Sequence, residues 1–235
     1  MRMRTIAIAA TLLMAAAPAW AQPDLTGVWA LASAPMTRLG EYADLPLTPE
    51  AQAKVDAYRA LVDPLGESPG SYCLGAGMPE TMMGAGGYPM EVVQKGDQIT
   101  IINELHNDIR RIFLGARIAT DDDIFPDRNG YSKGRWEGDV LVVETTHLKE
   151  QVDSRYPHSA STSIVERFSM TEAADGTPLL VADVVVTDPQ WWTEPLAYQL
   201  QWRPYEIGRL MPYDCTEPTW LDHLDELAAR PAQAE

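Results

Sequence analysis

From Met90 onward the chain is a succession of short apolar or alternating runs, most of them closed by a turn, and this pattern most narrows what it can fold into. Met90 to Gln94 and Gln98 to Leu105 flank Lys95-Gly96-Asp97, a good hairpin turn. Asp108 to Leu114 reads as a further strand, and Val140 to Thr146 follows the turn Glu137-Gly138-Asp139. Ser163 to Met170 and Leu179 to Thr187 are separated by the turn AADGTP, and Ala197 to Arg203 puts Tyr198, Leu200 and Trp202 on one face. Leu25 to Leu31 supplies a first strand, while residues 120–134 read as a loop with three successive aspartates. Helix signals are few. Thr48 is a good N-cap, Pro49 suits the first helical position, and the helix should stop near Asp63-Pro64. A short tail helix is expected near Trp220 to Ala229, and residues 64–90, rich in Gly, Pro and Met, suggest a long ordered loop. Many short strands with few helices predict a mainly β domain, an antiparallel barrel or sandwich. No Rossmann fingerprint, P-loop or internal repeat is present.

The first residues add a location. Arg2 and Arg4 precede an apolar stretch from Ile6 to Ala17, and Ala19-Trp20-Ala21 has the small-x-small form of a cleavage site. The stretch is too short to span a bilayer. The expectation is a signal peptide over residues 1–21, a single domain over 22–235, and a periplasmic or secreted product without membrane insertion after processing. The net charge of −16 opposes binding to nucleic acid, whose field has the same sign. Export also permits a disulfide, and Cys73 and Cys215 allow one pairing; two unpaired thiols are the alternative.

Several segments look familiar together: DLTGVW at 24–29, CLGAGMP at 73–79, YPMEVVQ at 88–94, INELHNDIRRIFLGAR at 102–117, GRWEGDVLVVETT at 134–146, PHSASTSIVERF at 157–168 and YDCTE at 213–217. They resemble a large, largely uncharacterised group of exported bacterial proteins with D-L-x-G-x-W and G-x-W-E-G-D-x-L-V-V-x-T motifs. The resemblance implies a lipocalin-like (calycin-like) antiparallel barrel, with Trp29 plugging one end. One departure stands out. The group often has Gly-Arg-x-His-Pro after the central strand, but here Gly115-Ala116-Arg117 runs into Ile118-Ala119 and an acidic loop.

The densest chemistry lies around residue 104. If one strand continues through this segment, Glu104, His106, Asp108 and Arg110 share a face, with Ile102 and Ile112. A carboxylate beside an imidazole fixes its tautomer and raises its basicity, and Arg110 or Arg111 could hold an anion or a developing oxyanion. The bland alternative is a wet strand with ordinary ion pairs, and a bulge would split the set. His158, just before a strand, suits a mouth position where it could act as acid or base. His147, at a strand end, is a rim candidate, and His223 reads as a surface residue. Trp191 and Trp192, with Met82, Met83 and Met90, could roof an apolar pocket or pack as a satellite core. No zinc motif or calcium-loop spacing occurs, so no metal and no cofactor is expected.

Three functions fit these residues. The first is a cofactor-free general acid/base enzyme, of lyase, isomerase or cyclase type, acting on a small apolar or aromatic molecule in a barrel pocket. The second is a noncatalytic periplasmic carrier of such a molecule. The third is an envelope interaction module with a filled barrel. A wide cavity with buried histidine and carboxylate favours the first, a wide apolar cavity the second, and a solid interior the third.

Overall fold

Alternating β-branched and aromatic residues pair into nine strands that close on themselves. They are β1 (Gly27–Ser33), β2 (Met90–Lys95), β3 (Gln98–Asn103), β4 (Asp108–Leu114), β5 (Tyr131–Glu137), β6 (Val140–Thr146), β7 (Ser163–Glu172), β8 (Pro178–Thr187) and β9 (Leu196–Pro204). This computed structural model describes residues 22–33, 45–83, 87–216 and 222. The expected signal peptide, His223 and the expected tail helix, apart from Asp222 within it, lie outside the described residues. Sequential strands are neighbours all the way round, and β1 closes the barrel against β9.

Two expectations need correction. β5 falls inside residues 120–134 and beyond, where a loop was expected, and it runs parallel to β4 (Ile112 beside Ser132, Leu114 beside Gly134). Every other neighbouring pair is antiparallel. A parallel pair needs a crossover, and residues 115–130 supply it by returning along the wall. Ala119 N–H donates to the Tyr131 hydroxyl at 2.7 Å, and Tyr131 stacks on Phe113 at 5.1 Å, tacking that crossover down. The two strands meet closely. A Cβ at Gly134 would lie 2.6 Å from Leu114 Cδ2 and 2.8 Å from Ile112 Cγ2, so a residue without a side chain is needed there.

The second correction is to the shared face of Glu104, His106, Asp108 and Arg110, which held only if one strand continued through residue 104. β3 and β4 form a hairpin, with Asn103 opposite Asp108, and residues 104–107 turn the corner. His106 and Asn107 both take positive φ, 59° and 50°, a region that non-glycine side chains rarely enter. No glycine or proline marks this turn, so alternation alone did not expose it.

Because most neighbours alternate in direction, the short turns after β2, β5 and β7 share one end of the barrel. The long connections gather at the other end, beside the 104–107 tip. Helix α1 (Pro49–Val62) lies among them. Thr48 Oγ1 accepts from Ala51 N–H, and Ala51 and Val55 are buried. Thr48 N–H donates to the Trp191 carbonyl at 2.7 Å, and the Lys54 ammonium sits 4.7 Å from the Trp191 ring centroid.

The interior is filled. Leu25, Val92, Ile99, Ile101, Ile112, Leu141, Phe168 and Leu180 surround a void of only about 10 Å3. Trp202 stacks on Phe168 at 6.4 Å, and Trp29 is buried with its indole N–H donating to the Leu25 carbonyl. Met78, Met82, Met83, Met90, Leu148, Tyr156, Trp191 and Trp192 are buried in the same continuous core, which joins the end cap to the barrel.

A polar layer interrupts this core. Arg110 on β4 is 2 % exposed and faces Glu166 on β7, which is 1 % exposed. Nη1 donates to Glu166 Oε1 at 2.9 Å, while Nη2 donates to Glu166 Oε2 and, at 2.9 Å, to Thr145 Oγ1. Nε donates to Ser132 Oγ at 3.1 Å. Forked pairing and two hydroxyls thus leave little of either charge uncompensated, the condition under which a buried ion pair is tolerated. Burial, then the negative Glu166, raises the Tyr198 phenol well above its ordinary value, so it is neutral. Tyr156, buried beside Glu80, is pushed up to about 12.

Candidate functional site

The hairpin tip is strapped from outside. Cys73 and Cys215 are joined in a disulfide across 142 positions, tying the tail to the cap. Beside that bond Glu104 Oε2 accepts from Met211 N–H at 2.6 Å, and Asn107 Nδ2 donates to the Tyr213 carbonyl at 2.8 Å. The Tyr213 ring meets both His106 (5.3 Å) and Tyr88 (5.5 Å) edge-on. The strained tip and the strap hold the His106 ring in one place.

Two hollows flank that ring. The larger, about 280 Å3, is lined by Ser68, Pro69, Gly70, Leu74, Ala76 and Leu105 together with Glu80, His106, Arg128, Asp153 and Arg155. The smaller, about 10 Å3, is lined by Ala76, Glu80, Thr81, Tyr88, Asn103, Leu105, His106 and Asp108. His106, Glu80, Ala76 and Leu105 border both, so the imidazole stands as part of the wall between them. A Cβ on Gly70 would lie 3.5 Å from its Cε1 and 3.7 Å from its Nε2, which places that edge on the side of the large cleft. Nδ1 is enclosed and has no hydrogen-bond partner in the protein.

The charged groups around His106 are held by their own bonds. Asp108 accepts from Thr81 Oγ1 at 2.9 Å and from Asn129 Nδ2 at 2.5 Å. Glu80 Oε2 accepts from Ser154 Oγ and from the Arg155 backbone N–H, and Oε1 lies 3.4 Å from Arg155 Nε. Arg128 spends its guanidinium on the Gly75 and Ala76 carbonyls and on Asp153 at 3.0 Å. Their opposite charges leave the cleft close to neutral in spite of the acidic chain.

The expected site residues therefore separate. His106 and Asp108 do border a common hollow. Glu104 sits on the tip and serves the tail. Arg110 makes four bonds inside the barrel and is not among the cleft residues, so the expectation that it holds a substrate oxygen is corrected. Arg111, one residue on, is exposed on the outer wall. His147 has φ 56° and its Nδ1 lies 2.9 Å from Thr146 Oγ1, away from the cleft lining.

His158 is not at an open mouth. It is fully buried, and Nδ1–H donates to the Tyr156 carbonyl at 2.7 Å. Burial lowers its pKa, which keeps the ring neutral. Trp191, Trp192, Met82, Met83 and Met90 are all buried at 4 % exposure or less and belong to the core that joins cap and barrel, so they do not roof a pocket; none borders the cleft. The Trp191–Trp192 loop is organised by Asp188, which accepts from Ser159, Thr162, Gln190 and Trp191.

Sequence reasoning missed Glu80, which opens a short 3-10 helix, Asn103 at a strand end, and Arg128, Asp153 and Arg155 on loops. It also missed Glu166, although the alternation Ile164, Glu166, Phe168 places a carboxylate on an apolar face and could have flagged it as a buried partner. Among the described residues no cluster of three or more His, Cys, Asp or Glu side chains could hold a metal ion, and no helix is long and apolar enough to cross a membrane. No protein-family model matches the chain, and no curated protein matches it either.

Proposed function

We propose that the chain is a general acid/base enzyme, of lyase, isomerase or cyclase type, acting on a small molecule in the cleft at the capped end of the barrel. One observation carries this reading: the His106 imidazole, held on a left-handed backbone, with one nitrogen enclosed and the other edge toward a cleft of about 280 Å3. Backbone strain of this kind costs of order 1–3 kcal/mol and concentrates at functional sites. Pro69, Leu74 and Leu105 would seat an apolar or aromatic body, and His106 would move the proton. Glu80 and Asp108 set the field around the ring. The site lies at the barrel end, not within the barrel.

The barrel itself we read as lipocalin-like (calycin-like). The buried Trp29 two residues after Gly27 supports this, whereas the parallel β4–β5 pair departs from a simple up-and-down barrel. The disulfide favours an oxidising compartment and so supports a periplasmic or secreted product. A carrier of hydrophobic ligands would need an open apolar chamber, and the void of about 10 Å3 gives that reading less support. The filled interior instead favours, as the second reading, an envelope interaction module.

The test does not require the natural substrate. Small aryl ketones incubated in D2O report catalysed proton abstraction by deuterium gain next to the carbonyl. The enzyme reading expects incorporation that falls by about 10²–10⁴-fold in His106→Ala. Equal rates for the two proteins at every ketone tried, with no shift of cleft resonances in the presence of ketone, would favour the interaction module.

A further inference from the structure

The small hollow behind His106 has room for one water molecule. Two of the residues that line it, His106 and Asn103, each carry a buried polar atom without a partner, Nδ1 and Nδ2. Asn103 is 6 % exposed and ends β3 on its inward face. A buried amide N–H left unbonded costs about 1–3 kcal/mol, so a partner at this spot is strongly favoured. The same hollow is bordered by two carboxylates, Glu80 and Asp108, whose recorded bonds do not exhaust the roughly four acceptor sites of each.

We propose that a single water, held in this hollow by Asn103, sets the tautomer of His106. A water has two lone pairs and two protons. Its lone pairs accept from Asn103 Nδ2–H and His106 Nδ1–H, and its protons go to Asp108 and Glu80. All four sites are then used. The other tautomer would spend one water proton on Nδ1, leaving one proton for two carboxylates and one lone pair idle. The relay therefore fixes the proton on Nδ1 and leaves the Nε2 lone pair on the Gly70 side, toward the large cleft, where it can accept a proton from a bound molecule. This rests on the reading of the large cleft as an acid/base site, and it assigns His106 the part of base at Nε2.

Two-bond proton–nitrogen correlation spectra of the uniformly 15N-labelled, disulfide-bonded protein read the tautomer directly, without any substrate. At a pH where the ring is neutral, the expected result is Nδ1 protonated and Nε2 bare. A ring protonated on Nε2 in the unmutated protein would overturn the relay, while leaving the deuterium-exchange test of the enzyme untouched. Glu80→Gln, which leaves one water proton free for Nδ1, should lower the ratio of Nδ1–H to Nε2–H by up to about tenfold, the equivalent of one lost hydrogen bond. Asp108→Asn, which removes a carboxylate and keeps the shape, should move the ratio the same way. An unchanged ratio in both variants, each with an intact disulfide and a native spectrum elsewhere, would also overturn the proposal.

Discussion

Replacing Arg110 by Met tests whether the polar layer in the barrel is a compensated ion pair. The guanidinium makes four contacts, two to Glu166 and one each to Ser132 and Thr145. Methionine fills much of the same volume but supplies no donor. Ser132 and Thr145 can still bond each other across 2.9 Å. Glu166 cannot recover so easily, because its side chain is 1 % exposed. The cost is therefore mainly that of a stranded charge, about 3–5 kcal/mol, or a fall in melting temperature of about 6–20 °C for a chain of this size. Removing the charge as well, in Arg110→Met with Glu166→Leu, should restore stability to within about 1 kcal/mol of the parent, since an apolar pair of similar volume is often neutral. Urea melts followed by tryptophan fluorescence would measure both. A single variant that loses less than about 1 kcal/mol, or a double variant no better than the single, would refute the compensated-pair account.

Reduction, or Cys73→Ser with Cys215→Ser, should cost about 2–5 kcal/mol and should also weaken the edge contact of Tyr213 on His106, visible as altered His106 resonances. His158 has a folded pKa lowered by burial, so the unfolded chain binds the extra proton first; stability is full above the unfolded value of about 6.5 and declines as pH falls towards the lower folded value. His158→Gln should flatten that limb of the stability–pH curve, and an unchanged slope between about pH 6.5 and 5 would show that the buried ring is not its source. Gly134→Ala should destabilise by about 1–3 kcal/mol in the same urea assay, because the added methyl meets Leu114 and Ile112. If the chain is exported as proposed, its mature form should begin at Gln22 or the cyclised form of that residue, checked by mass spectrometry of the N-terminal peptide; a chain that still starts at Met1 would rule out cleavage.

The walls of the barrel were legible because their side chains obey a period of two and their turns use glycine. Lys95-Gly96-Asp97 and Glu137-Gly138-Asp139 are read correctly from composition alone, and so is the Thr48-Pro49 start of α1. The hairpin tip was not, since its two left-handed positions fall on His106 and Asn107. Asparagine and histidine both enter that region more often than most residues, and their adjacency was the available hint. β5 was hidden for a different reason. Its outward residues are Tyr131, Lys133, Arg135 and Glu137, and two of its inward positions are Ser132 and Gly134, so no apolar stripe announces it. Serine is there to bond Arg110 and glycine to admit Leu114, which are facts about neighbours far away in sequence. The tryptophan pair misled in the opposite direction. Trp191 and Trp192 look like an exposed roof beside prolines, but Asp188 folds their loop inward and the Trp192 indole N–H donates to the Pro157 carbonyl at 2.8 Å.

The hairpin tip and the filled barrel bear on where the proposed acid/base chemistry would sit. In a barrel whose interior is solid, an ionisable group can be buried only with its counter-charge, and Arg110 with Glu166 is that case. A group that must exchange protons has to lie where the wall ends, because only there can one side of the ring meet a cleft while the other meets fixed partners. A tight turn between two strands offers that position, at the cost of a left-handed backbone. Histidine at such a turn would ordinarily swing freely. Here the tail crosses it, with Tyr213 against the ring and Met211 and Asn107 pinning the chain on either side. The disulfide closes this strap from a residue 142 positions away. The long separation between Cys73 and Cys215 then has a local consequence: the bond holds residues 211–215 over an imidazole that borders both hollows.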